Sequence, residues 1–426
     1  MISVRDLASQ TPTTRNRVVD FLRAVSITVV VLGHWMMASA TATEGGIDDH
    51  GLLTAAPWTQ WLTWVFQVMP IFFLVGGYSN ALSWRSTQAR GGSYPSWLRA
   101  RIRRLMTPVV PLLIFWVLAV SVLSMVGLPA DQLRSASQMA LVPTWFLAAY
   151  VLVVSIAPFT LKAWDRWGWW SVAAGIVLAA VVDAVSIAVH NIYLGYPNYL
   201  IVWATVHTLG YAWLDGRLTG VGRRTLLAVA GLAALGAAVH FGPYPVSMIG
   251  LDSNEVNNSA PTRITMLFLG FAQAGLLLSL EQPLARWLRR ERPWMVTVFI
   301  NTRIMSLYLW HLTALMLAVG VALALGGVGL HAEPMSGAWW AIRPLWLAVL
   351  LAVTGLAIVV FGRFENPVKD PRPAPALWLP VLATVLCCGG LAVMANVGVV
   401  GRVGWIFALL PVLGVALVSV GGRRAA

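Results

Sequence analysis

Arg23 and His34 lie in the stretch RVVDFLRAVSITVVVLGHW at 17–35, ten residues apart, with Asp20 three positions before the arginine. On a helix the eleven steps from Arg23 to His34 turn about 20° past three full turns and rise about 16 Å, so all three side chains share one stripe. Histidine gains and loses its proton near neutrality. That suits it to general-base work on a poor nucleophile such as a hydroxyl, which needs a base poised near pH 7. The competing use of such a histidine is a hydrogen bond to a neighbouring helix. Ionisable groups in an apolar run are costly and face a protein interior or water, so an acid, an arginine and a histidine on one stripe call for one of these two explanations.

A second group of residues suits an anionic ligand. Arg85, Arg90, Arg99, Arg101, Arg103 and Arg104 crowd one segment. The planar fork of arginine matches phosphate better than lysine does. Arg101 and Arg104, three apart, share a helix face and can address one ligand together, whereas Arg85, Arg90 and Arg99 read as charge anchors at a membrane edge.

These residues must be positioned by helices in a membrane. The chain has 426 residues, 58% of them hydrophobic and 11% charged, against roughly 25% charged in soluble domains. A polytopic, all-α transmembrane bundle follows, with no room for a soluble catalytic domain beside it. Apolar stretches of about 20 residues, enough to cross about 30 Å of hydrocarbon, number about twelve, near 20–40, 59–83, 106–127, 142–161, 169–189, 198–214, 225–241, 263–280, 304–326, 338–361, 377–397 and 403–420. With the N-terminus in the cytoplasm, 24 of the 29 Lys and Arg fall in cytoplasmic segments, four (Arg134, Arg263, Arg343 and Arg402) fall on the other side, and Arg23 lies within the first span. This alternation obeys the positive-inside rule and puts both termini in the cytoplasm. The first outer loop carries Glu44, Asp48, Asp49 and His50 instead. It also disperses the net charge of +13 into topology signals, which argues against a nucleic-acid partner. The first span, despite the Ala-x-Ala at 38–40, is expected to be an uncleaved helix rather than a signal peptide. Cys387 and Cys388, adjacent in an apolar run, read as small inert hydrophobes.

Several segments, in order, resemble the acyltransferase 3 family of integral-membrane enzymes. The first span carries the arginine, ten residues and histidine as Arg23 and His34; PIFFLVGGYSNALSW at 70–84 is similar to the second span; RARIRRL at 99–105 places Arg101 and Arg104 at the paired arginines; PTWFLAAY at 143–150, SLYLWH at 306–311 and the Phe-Glu-Asn-Pro at 364–367 follow. The resemblance covers roughly 15–367. It implies an O-acyltransferase that moves an acyl group from cytoplasmic acyl-CoA to a hydroxyl of a cell-envelope glycan, glycolipid or related acceptor, in the inner (plasma) membrane among membrane lipids. Acyl-CoA is then a substrate, and no permanently bound cofactor or metal is expected. His34 acts as general base or itself carries the acyl group, direct base catalysis being preferred, with Asp20 and Arg23 beside it. Arg101 and Arg104 hold the donor's phosphates.

Around them, Trp145, Tyr150, Tyr308, His311 and Glu365 are candidates for the substrate pocket. Tyr308 and His311, one turn apart, are expected to line the cavity opposite His34, while Glu365 suits a salt bridge to the basic loops equally well. Most of the 22 tryptophans pack or anchor at the interface. Asp183 and His207 are further intramembrane ionisable groups.

Three departures stand out. Gly76-Gly77 replaces the family's Ser-Gly, leaving Ser79 as the nearest serine; Leu312-Thr313 follows His311 where a proline is common; and two spans follow Pro367. The expected organisation is a cytoplasmic tail at 1–16, a ten-helix acyltransferase core at 17–367, a linker at 368–376, two additional helices at 377–420 and a cytoplasmic tail at 421–426. The rival class is a secondary transporter. LDGRLTGVGRR at 214–224 faintly echoes a carrier loop signature, but it is misplaced after the sixth span and the halves lack the self-similarity of transporter folds. Oligomeric state is not legible. One test addresses orientation: with Cys387 and Cys388 replaced, Ser93→Cys stays unlabelled by an impermeant thiol reagent in intact cells and Thr43→Cys reacts. The reverse pattern would overturn the assignment.

Overall fold

In hydrocarbon every backbone N–H and C=O must be satisfied within the chain, which leaves helices as the answer to long apolar runs. A computed structural model of the protein describes residues 4–12, 15–37, 41–43, 46–48, 51–251, 256–366 and 373–420. Among the described residues its regular elements are helices, apart from a ladder of two three-residue strands, Thr41–Thr43 and Gly46–Asp48. Glu44, Asp49 and His50 lie outside the described residues.

Among these residues, nine helices are long and apolar enough to cross a membrane, and two bent pairs raise the number to as many as eleven, against the twelve read from hydropathy. The difference has a simple origin. Asn198–Leu214, the expected span 198–214, has 17 residues, about 25 Å of helix against about 30 Å of hydrocarbon. The bends fall where the ladder is interrupted. Tyr94–Met106 and Val109–Met125 meet at 41° across Thr107-Pro108, and proline has no N–H to continue a helix.

The chain divides into two compact units. The first comprises Met1–Val30, Ala56–Ser86 and Ile156–Ile304. Its helices approach closely through small residues, as membrane helices do. At Gly77 an added Cβ would lie 1.9 Å from the His207 carbonyl oxygen, and at Gly210 it would lie 2.2 Å from the Leu74 carbonyl oxygen. Gly77, the second residue of the Gly76-Gly77 pair, therefore has a packing reason, because the Met69–Ala89 and Asn198–Leu214 helices touch backbone to backbone there. On the same two helices, buried Asn80 and His207 bond at 3.1 Å, and His207 Nδ1 lies 2.9 Å from the Tyr211 hydroxyl.

The second unit comprises Val31–Ala55, Thr87–Ser155 and Met305–Ala426. Its core gathers Val31, Trp35, Leu312, Leu315, Ala318 and Leu350. The helices Trp378–Val397 and Gly401–Val420 pack on each other and against Tyr94–Met106 and Ala130–Leu141. Polar ties reinforce the packing: Arg99 donates to the Pro373 carbonyl at 2.9 Å, and Thr144 donates to the Leu391 carbonyl at 3.3 Å.

The Gly77 contact gives a stability test. Gly77→Ala forces backbone apart and should cost about 1–3 kcal/mol, read as a lower Tm in detergent. Gly236→Ala, at a helical site with nothing within 4 Å of the added Cβ, should hold or raise the Tm, since alanine favours a helix interior over glycine. Equal Tm values for both variants would remove the close-contact explanation.

Candidate active site

The helix Arg17–Met37 runs unbroken through Asp20, Arg23 and His34. In the second unit its last turns carry His34 and Trp35, which meet the Ile304–Ala324 helix. His34 Nδ1 lies 2.8 Å from His311 Nε2, and His311 Nδ1 lies 2.6 Å from the Tyr308 carbonyl oxygen. The rings are inclined by only 5°, with centroids 5.1 Å apart. Parallel planes whose nearest atoms are 2.8 Å apart leave no room for a face-to-face stack, so the rings meet edge to edge with the hydrogen bond near their planes.

This geometry assigns the protons. A carbonyl oxygen only accepts, so His311 Nδ1 carries hydrogen and, in the neutral ring, Nε2 presents a lone pair. His34 Nδ1 must then donate to it, and the lone pair of neutral His34 is left on Nε2. His311 is fully buried and His34 only half-buried, so the basic nitrogen belongs to the more accessible ring.

The surroundings hold the pair in place. Trp35, next to His34 and 1% exposed, donates its indole N–H to the His311 carbonyl at 3.0 Å. Trp116 donates to Thr313 Oγ1 at 3.0 Å. The Tyr308 hydroxyl donates to the Pro143 carbonyl at 2.5 Å. Tyr308 therefore orients His311 through its backbone while its side chain ties the helix to the start of Pro143–Trp167. From that helix Phe146 packs edge-on against Tyr308 at 5.7 Å, and Tyr150 packs against Phe146 at 5.9 Å. Trp145 is half-buried at the same helix start. Glu365 accepts the Met305 and Ser306 backbone N–H groups at 2.9 and 3.0 Å and the Ser306 hydroxyl at 2.9 Å. It is the N-terminal cap of the helix that carries His311, where a carboxylate also suits the helix dipole.

Asp20 and Arg23 belong to the first unit, in a cluster of their own. Arg15 grips Asp20 with two bonds of 2.5 and 3.1 Å; Arg23 reaches Asp20 at 3.2 Å and donates to Ser79 Oγ at 2.8 Å. The bond to Asp20 raises the Arg15 pKa further above its ordinary value, against the opposing effect of burial, so Arg15 stays charged. Arg15 and Ser79 had no helical spacing to reveal them, since one precedes the helix and the other sits on a different one.

Arg101 and Arg104 share one face of Tyr94–Met106 in the second unit. The Arg101 guanidinium lies 5.4 Å over the Trp97 ring, and Arg104 is exposed. Arg99, expected to be an edge anchor, is 3% exposed and clamps the chain at Pro373.

Asp183 and His207, the other intramembrane candidates, have their partners in the first unit. Asp183 accepts from Asn198 at 2.8 Å, the Ile264 backbone at 2.8 Å, Tyr244 at 3.1 Å and Arg263 at 3.3 Å. His207 has a separate set of partners, Asn80 and Tyr211, described above. Among the described residues no three His, Cys, Asp or Glu side chains gather as a metal-binding group.

Residues 16–364 match the family model of the acyltransferase domain, acyltransferase 3, a span that includes Arg23, His34, Arg101, Arg104 and His311. The chain belongs to the acyltransferase 3 family. No curated protein and no solved structure matches it. As a member of this family the protein is a membrane acyltransferase crossing the bilayer several times, and the transporter reading is not favoured. The acyltransferase 3 match stops one residue before the Glu365 cap and short of the final two helices.

Proposed function

We propose that this acyltransferase works in the inner (plasma) membrane and moves an acyl group from cytoplasmic acyl-CoA to a hydroxyl of an envelope glycan, glycolipid or related acceptor. The observation that carries this reading is the hydrogen-bond chain from the Tyr308 carbonyl through His311 to His34, which leaves the lone pair of the half-buried His34 on Nε2. That nitrogen takes the acceptor's proton as the hydroxyl oxygen attacks the thioester carbonyl. The C–S bond then breaks, and the leaving thiolate recovers the proton from His34. Between these events the imidazolium of His34 is stabilised by the lone pair of His311, which can share the proton. Asp20 and Arg23 act as positioning residues at the start of the helix that ends in His34. Arg101 and Arg104, in the same unit as the histidines, receive the donor's phosphates through their paired N–H groups.

Purified protein with labelled acyl-CoA tests the reading. Release of CoA that depends on added acceptor is expected, and correctly inserted His34→Ala should show none. Arg101→Lys and Arg104→Lys keep the charge but lose the fork, so the KM for acyl-CoA should rise by the equivalent of about 1–3 kcal/mol per contact while that for the acceptor stays unchanged. Label accumulating in sealed vesicles without CoA release would instead identify a carrier, and wild-type turnover in His34→Ala would remove the histidine from the mechanism.

A further inference from the structure

The side of Arg17–Met37 turned away from Asp20 and Arg23 is apolar, with Phe21, Val25, Thr28 and Val29 recurring at helical spacing. In the first unit this face forms one wall of a cavity of about 370 Å³. The opposite wall is the helix Glu291–Thr302, through Val296 and Ile300, with Trp287 at one end. The cavity is an open slot. Val296 is 58% exposed at its wall, and neighbouring Phe299 is 64% exposed, which is costly in water and natural in hydrocarbon.

The chain beside the slot is strongly basic. Arg286, Arg289, Arg290 and Arg292 are all exposed. The acids of the same stretch are engaged elsewhere: Glu281 pairs with Arg224, and Glu291 pairs with Arg5 at 2.8 Å. An apolar slot open along one side, with four exposed arginines on the stretch of chain that runs between its lining residues Trp287 and Pro293 or flanks them, suits a molecule with a hydrocarbon chain and an anionic head. On the charge-based orientation these arginines face the cytoplasmic leaflet, where anionic lipids attract such clusters.

We propose that the slot binds an anionic glycerophospholipid, one acyl chain lying between the Arg17–Met37 and Glu291–Thr302 helices and the phosphate meeting the arginines of 286–292. A zwitterionic lipid fills the same slot but leaves the arginines without their counter-charge. The lipid then lies along the back of the helix that ends in His34.

Native mass spectrometry of the full-length protein, released from detergent containing equal amounts of phosphatidylglycerol and phosphatidylcholine, reads this binding directly and independently of any acyl-transfer activity. Phosphatidylglycerol should be retained preferentially. Arg289→Gln and Arg290→Gln should each weaken that retention by about fivefold, and Val296→Trp, which fills the slot and keeps every arginine, should abolish it. Equal retention of the two lipids by the unaltered protein would overturn the proposal, and that comparison stands even where a variant fails to fold. Preferential retention surviving Val296→Trp would place the lipid outside the slot, and retention unaffected by the glutamine substitutions would remove the arginines; either result overturns it.

Discussion

A buried imidazole with no water at hand needs a partner for each ring nitrogen, and leaving one unmade costs about 1–3 kcal/mol. His311 is 0% exposed and meets that requirement with one backbone carbonyl and one side chain, His34. Much of the second unit follows from this. The carbonyl fixes which nitrogen of His311 carries hydrogen, His311 fixes the same for His34, Trp35 ties the two helices to each other, and Trp116, Tyr308 and Glu365 anchor the helix of His311 to the elements around it. The same rule governs the first unit, where Asp183 and His207 are buried at 1% and 0% exposure and each finds several partners. Burial with full satisfaction is therefore no mark of function by itself. The histidine pair differs because its end nitrogen sits on the ring that remains accessible.

The part of the site that lies on one helix was legible in the sequence. Arg23 and Asp20 do bond, and helical spacing alone requires them to share a face. That His34 and His311 touch was not legible, because no local spacing relates residues 277 positions apart. The cap formed by Glu365 on Met305 and Ser306 was hidden for the same reason. Charge type offered a salt bridge and a pocket position equally for Glu365, whereas the free N–H groups of a helix start form another good partner for a carboxylate. Arg99 misled in the opposite direction: its neighbours mark a membrane edge, yet its own side chain is buried against Pro373.

Hydropathy captured the all-helical class and most span positions, and it missed what depends on helix ends. Asn198–Leu214 is apolar but short, and the break at Thr107-Pro108 sets the basic helix Tyr94–Met106 at 41° to the apolar helix Val109–Met125 that follows it. The final two helices look like an appendage when counted after Pro367. In the fold they pack on Tyr94–Met106, the helix that presents Arg101 and Arg104, so they belong to the packing of the unit that holds the histidines.

If the His34–His311 bond makes the two rings one catalytic device, removing either ring disables the device and removing the second adds little. The measurement is kcat for His34→Ala, His311→Gln and the double variant, all verified as inserted, with the acceptor saturating. The account predicts that the double variant is no slower than His34→Ala alone. Losses that multiply, so that the double variant falls by the product of the two single effects, would show that the histidines act independently and would contradict it.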